Sequence, residues 1–126
     1  MKHVHIKEIL ITKEHLDQMN HLNNVQYVHW VEEMAKEHWD ILRHNTNYVD
    51  DFWFLADHHI QYKKQVYEGD ILTVKTYPQK PDGLRQPRKV EFYKNDELMV
   101  DSKTLWVLID KDTQKIKRNE NDWLEF

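Results

Sequence analysis

The chain has 126 residues, 40% hydrophobic and 12% aromatic, which suits one globular unit with a real core. Its formal net charge of −4 argues against nucleic acid as a partner, and the absence of cysteine excludes disulfides, thiolate nucleophiles and cysteine metal sites. Ser102 is the only serine, and Gly69 and Gly83 are the only glycines, so neither a nucleophile elbow nor a glycine-rich phosphate loop can be built. Any chemistry must come from carboxylates, histidines and main-chain dipoles.

Residues 2 to 12 alternate loosely between polar and apolar, and Ile9-Leu10-Ile11 reads as the end of a first strand. The same stretch carries scattered charges and no apolar core of signal-peptide length, so a cytoplasmic location is expected. Polar residues follow to Asn24, and Asn23 or Asn24 is a good N-cap for a helix from Val25 to about Arg43. Val28, Val31, Ala35, His38 and Leu42 form its apolar stripe, widened by Tyr27, Trp30 and Met34. Glu32, Glu33, Lys36, Glu37 and Asp40 are expected on a solvated face.

Beyond the helix the period changes to two. Phe54, Ala56, His58, Ile60 and Tyr62 are expected on one strand face, and Phe52 to Ala56, the longest strongly apolar run, is far too short to cross a bilayer. A turn at Tyr67-Glu68-Gly69-Asp70 leads to a strand from Ile71 to Tyr77, and Pro78 to Pro87 reads as a loop. Arg88 to Lys94 is the next strand, joined through Asn95-Asp96 to a long strand with Leu98, Val100, Ser102, Thr104, Trp106 and Leu108 at alternate positions. Connections this short imply antiparallel pairing. The expected architecture is α+β, an antiparallel sheet wrapped around one long helix. The five tryptophans are expected in the core or at an interface.

The stretch Asp17-Gln18-Met19-Asn20-His21-Leu22-Asn23-Asn24 carries the chemistry. First-turn amides of a helix point free donors outward and carry partial positive charge, which suits a developing oxyanion. An aspartate on a loop folding back beside them completes a kit for acyl transfer, as nucleophile or as base for a water. Each residue alone has a plainer reading: Asp17 as a turn former, the asparagines as caps, His21 as a hydrogen-bonded structural residue.

Together, Asp17-x-x-x-His21-x-Asn23-Asn24-x-x-Tyr27-x-x-Trp30-x-Glu32 resembles the signature of hotdog-fold thioesterases of the 4-hydroxybenzoyl-CoA thioesterase type, and is similar to that of the acyl-ACP thioesterases. Ile60-Gln61-Tyr62, the Tyr67–Asp70 turn and the closing strand to Trp106 and Asp110 support it. The resemblance implies a single hotdog domain over residues 1–126 that hydrolyses an acyl-CoA or acyl-ACP. It implies Asp17 as the catalytic carboxylate, the Asn24 amide as carbonyl donor, His21 and Asn23 as shapers of the loop, and Tyr27 at the acyl pocket. It also implies a homodimer, or a dimer of dimers, with sites at the interface. His15 and Asn20 stand where many relatives have Asp and Gly.

His58 or His59 could border the pocket. Lys63, Lys64, Arg85, Arg88 and Lys89 are candidates for the carrier's phosphates, with a solvated face as the plainer reading for each. No cofactor is expected, and the nine histidines offer no set of three or four converging metal ligands. The rival functions are a hydroxyacyl dehydratase, whose Pro/Gly-rich histidine motif is missing, and a non-catalytic module binding an acyl or aromatic ligand.

Overall fold

The computed structural model describes residues 3–46, 48 and 50–119. Its elements are β1 (His5–Leu10), α1 (Asn24–Leu42), β2 (Phe52–Tyr62), β3 (Ile71–Pro78), β4 (Arg85–Lys94), β5 (Glu97–Ile109) and β6 (Ile116–Lys117), with short 3-10 turns at Lys13–His15 and Arg43–Asn45. The strands form one antiparallel sheet in the order β1-β3-β4-β5-β2, with β6 paired to the end of β5. One long helix packs against that six-strand sheet.

Tyr27, Trp30, Val31 and Met34 of α1 meet Leu72 and Val74 of β3, Val90 and Phe92 of β4 and Val100 of β5 in the main apolar cluster. A second cluster lies toward the helix end, where Trp39 joins Tyr48 and Leu108. Between them the interior is polar: His38, Thr76, Arg88, Ser102 and Thr104 are all buried. The buried helix face therefore centres on Tyr27, Trp30, Val31, Met34, Ala35, His38 and Trp39, whereas Val28 and Leu42, expected on the central stripe, are only half-buried at its margins. Trp53 and Trp106 are half-buried, and Trp123 lies outside the described residues.

Three expectations need correction. Glu33 and Glu37 do not lie on a purely solvated face: Lys7 Nζ reaches Glu33 at 3.3 Å and Glu37 at 3.0 Å, and His5 Nε2 meets Glu37 at 3.0 Å. On the inner side of β1, His5 and Lys7 meet the helix through these ion pairs, while Ile9 packs against the main apolar cluster. In β2 the pairing slips between Leu55 and Asp57. A one-residue bulge swaps the faces, so Trp53 and Leu55 share the inner side with His58 and Ile60, while Phe54 and Ala56 are exposed. The expected loop from Pro78 to Pro87 is shorter, because β3 runs to Pro78 and β4 already begins at Arg85. Proline lacks an N–H for the ladder. At Pro87 the Gln86 side chain supplies the substitute, its Nε2 donating to the Gln79 carbonyl at 2.7 Å.

Candidate active site

The polar segment before α1 is a tight hairpin. Asp17 N–H donates to the His21 carbonyl at 2.8 Å, Leu16 bridges Leu22, and Asn23 N–H donates to the His15 carbonyl at 3.0 Å. Asn20 takes φ +60° at the tip, a left-handed angle that asparagine accepts more readily than most residues. The Asp17 carboxylate folds back into its own turn: Oδ1 accepts from Met19 N–H at 2.8 Å and from His21 N–H at 3.2 Å. The side chain is exposed yet anchored.

Asn23 is the N-cap of α1, its Oδ1 accepting from Val25 N–H at 2.9 Å. Asn24 follows as the first helical residue, and its amide meets no acceptor among the described residues. The hairpin so places an anchored carboxylate and a bare helix start on one short unit. The Tyr67–Asp70 turn braces it, through Leu22 N–H donating to the Val66 carbonyl at 3.1 Å and the His21 ring standing edge-on to Tyr67 at 5.7 Å. His15 accepts from Thr12 N–H and packs edge-on against Trp30 at 5.1 Å. Nothing in the local sequence pattern signals the bracing by Val66 and Tyr67, since it depends on a contact between segments more than 40 residues apart.

Tyr27 lies one turn into α1, 3% exposed, its ring 5.1 Å from Phe92 and 5.5 Å from the more exposed Tyr62. Burial pushes its phenol pKa up, so it stays protonated at any working pH.

The other sequence candidates lie elsewhere. His58 is on the inner face of β2 and His59 is exposed on the other. His58 Nε2 lies 3.0 Å from Ser102 Oγ, a serine–histidine contact of the kind nucleophilic catalysis uses. Ser102 is wholly buried in the sheet, so no substrate carbonyl can reach its hydroxyl, and burial lowers the pKa of His58. The pair is a satisfied interior contact.

Arg88 is buried beside His38, in the second half of the helix and away from the hairpin. Lys89 pairs with Asp101 and Lys64 with Glu97, while Lys63 and Arg85 are exposed. Among the described residues no group of three or more histidines and carboxylates is placed to hold a metal, and no helix is long and apolar enough to cross a membrane.

One long helix packed on a six-strand antiparallel sheet is the hotdog architecture of the solved thioesterases this chain is similar to. The family model for the acyl-ACP thioesterase N-terminal domain matches residues 2–126, and the chain belongs to that family of thioester hydrolases. Among solved structures it is similar to a predicted thioesterase from Bacillus stearothermophilus, at 18% identity and TM-score 0.81, covering 95% of this chain and 90% of that one. It is also similar to a DHNA-CoA thioesterase from Staphylococcus aureus, at 25% identity and TM-score 0.74, covering 95% and 85%. A further Staphylococcus aureus protein, solved in complex with CoA, matches at 18% identity and TM-score 0.81, covering 95% and 78%. No curated protein matches the sequence.

Proposed function

We propose that the protein hydrolyses an acyl-CoA to the free acid and CoA, with Asp17 and the start of α1 as its catalytic centre. The observation that carries this reading is the hairpin, which anchors an exposed carboxylate on the short segment leading into a helix whose first amide has no acceptor among the described residues. In this reading the thioester oxygen accepts a hydrogen bond from Asn24 N–H, and the helix dipole stabilises the negative charge that develops there. Asp17 takes a proton from a water as the water oxygen bonds to the carbonyl carbon. The tetrahedral intermediate then collapses, the C–S bond breaks, and the departing thiolate takes up the proton that Asp17 removed from the water, which returns Asp17 to its carboxylate form. Asp17 serves as base rather than nucleophile, because Oδ1 is committed to two main-chain amides and the exposed carboxylate is open to water.

CoA is preferred as carrier on the strength of the staphylococcal relatives, one of them bound to CoA and one named for a CoA thioester. The family's own name favours an acyl carrier protein as the second reading. An acyl-CoA substrate and a chain without cysteine are both compatible with a cytoplasmic enzyme. Purified protein assayed against a panel of acyl-CoAs and the matching acyl-ACPs, with free thiol as the readout, decides the carrier. Faster release from the CoA esters is expected, while turnover confined to acyl-ACP would reverse the choice.

The active unit in this reading is a homodimer. Among the described strands β2 pairs only with β5, so one long edge is open, with Phe52 and Phe54 exposed along it. Open edges of that length are association surfaces.

A further inference from the structure

The second half of α1 covers a cavity of about 470 Å³, within the range of small-molecule sites. Its walls include Trp39, Trp53, Trp106, Gln86 and Arg88. Trp39 and Trp53 stand edge-to-face at 5.5 Å. The cavity meets α1 only from Ala35 onward, and His38, behind it, lies about 21 Å along the helix from Asn24 at 1.5 Å per residue. It is therefore separate from the Asp17 hairpin.

Arg88 is the unusual member. It is 6% exposed and has no carboxylate partner among the described residues. Nη1 donates to His38 Nδ1 at 2.8 Å and to Thr76 Oγ1 at 3.1 Å. Nε and Nη2 have no protein acceptor among the described residues, so the cavity side of the guanidinium fork is left unpaired. Burial lowers the arginine pKa to about 10 and the His38 pKa to about 3, so at neutral pH the arginine is charged and its histidine partner is not. A buried charge held only by neutral groups is costly unless something completes it.

The cavity's carboxylates are engaged elsewhere. Asp51 accepts from Lys117 Nζ at 2.7 Å and from Lys111 N–H at 3.0 Å, and Asp40 pairs with Arg43 at 3.1 Å.

We propose that this cavity is a binding site for a small aromatic carboxylate, whose carboxylate pairs with Arg88 and whose ring lies among the three tryptophans. The guanidinium fork matches a carboxylate in geometry and charge, and tryptophan faces suit a flat ring. Nothing in this argument depends on the hydrolytic reading.

The probes are 2-naphthoate and its neutral isostere 2-naphthamide, titrated calorimetrically into the full-length protein. The naphthoate is expected to bind at least about tenfold more tightly than the amide, the scale of a charge-assisted pair. Arg88→Met should remove that preference, and Asp17→Asn should leave it intact. Should Arg88→Met fail to fold, Trp53→Leu takes its place and should weaken naphthoate binding while the wild-type preference stands. Equal affinity for acid and amide, no binding of naphthoate, or loss of binding in Asp17→Asn would overturn the proposal.

Discussion

Asp17 and His38 show how one side chain's surroundings fix its work. Asp17 accepts from Met19 and His21 and so forms the turn that presents it, which means its structural role and its proposed chemical role cannot be separated by deleting it. Its legibility in the sequence has a physical basis. Asp17, His21, Asn23 and Asn24 lie within eight residues, so local turn chemistry brings them together and only the bracing by Val66 and Tyr67 is long-range. Arg88 reads in the sequence as a candidate for the carrier's phosphates or a solvated cation, because composition cannot show that a strand residue points inward beside His38. His38 yields a prediction about pH. Burial first, then the Arg88 charge, lowers its pKa from 6.5 to about 3, so the unfolded chain binds a proton in that interval that the folded one does not. Stability attached to neutral His38 is full above pH 6.5 and falls as pH drops toward 3, by up to about 1.4 kcal/mol per unit. Urea midpoints measured from pH 7 to 5 should decline for the wild type and be flatter for His38→Gln. Parallel curves would remove His38 as the cause.

At the scale of elements, the helix was legible because its apolar residues recur at 3.6 and an asparagine caps it. Its precise inner face was not, since Tyr27, Trp30 and Trp39 are bulky enough to centre the packing on themselves. The bulge near Ala56 was invisible for another reason: an extra residue leaves no composition signal, yet it exchanges the inner and outer sides of β2. The start of α1 offers a clean test of the oxyanion donor. Asn24 is the first helical residue, the one place where proline fits a helix, and Asn23 already has the extended backbone that precedes proline. Asn24→Pro should therefore melt near the wild-type temperature while losing the N–H, at a cost of about 3 kcal/mol of transition-state stabilisation, or roughly 10²-fold in kcat. A folded variant turning over at the normal rate would take that amide out of the mechanism.

For the whole molecule, short connections made the antiparallel run β3-β4-β5 legible, but not the place of β2, which is joined to β3 by residues 63–70 and yet pairs with β5 at the far side of the sheet. What sequence could not supply was the polar layer that divides the interior. His38, Thr76, Arg88, Ser102 and Thr104 come from four elements and meet only once the sheet has closed on the helix. Assembly is likewise a property of the complete fold. With β2 open at one edge, sedimentation at assay concentration is expected to give twice the 15.6 kDa chain mass. A fully active monomer would be incompatible with a site completed at a dimer interface.

The most direct measurement is single-substrate kinetics of Asp17→Asn on whichever acyl-CoA the wild type cleaves fastest. Asparagine keeps an oxygen where Oδ1 accepts from Met19 and His21, so the hairpin and the melting temperature should hold. The base is gone, however, and kcat should fall by at least about 10²-fold. A well-folded Asp17→Asn protein that releases CoA at the wild-type rate would contradict the account.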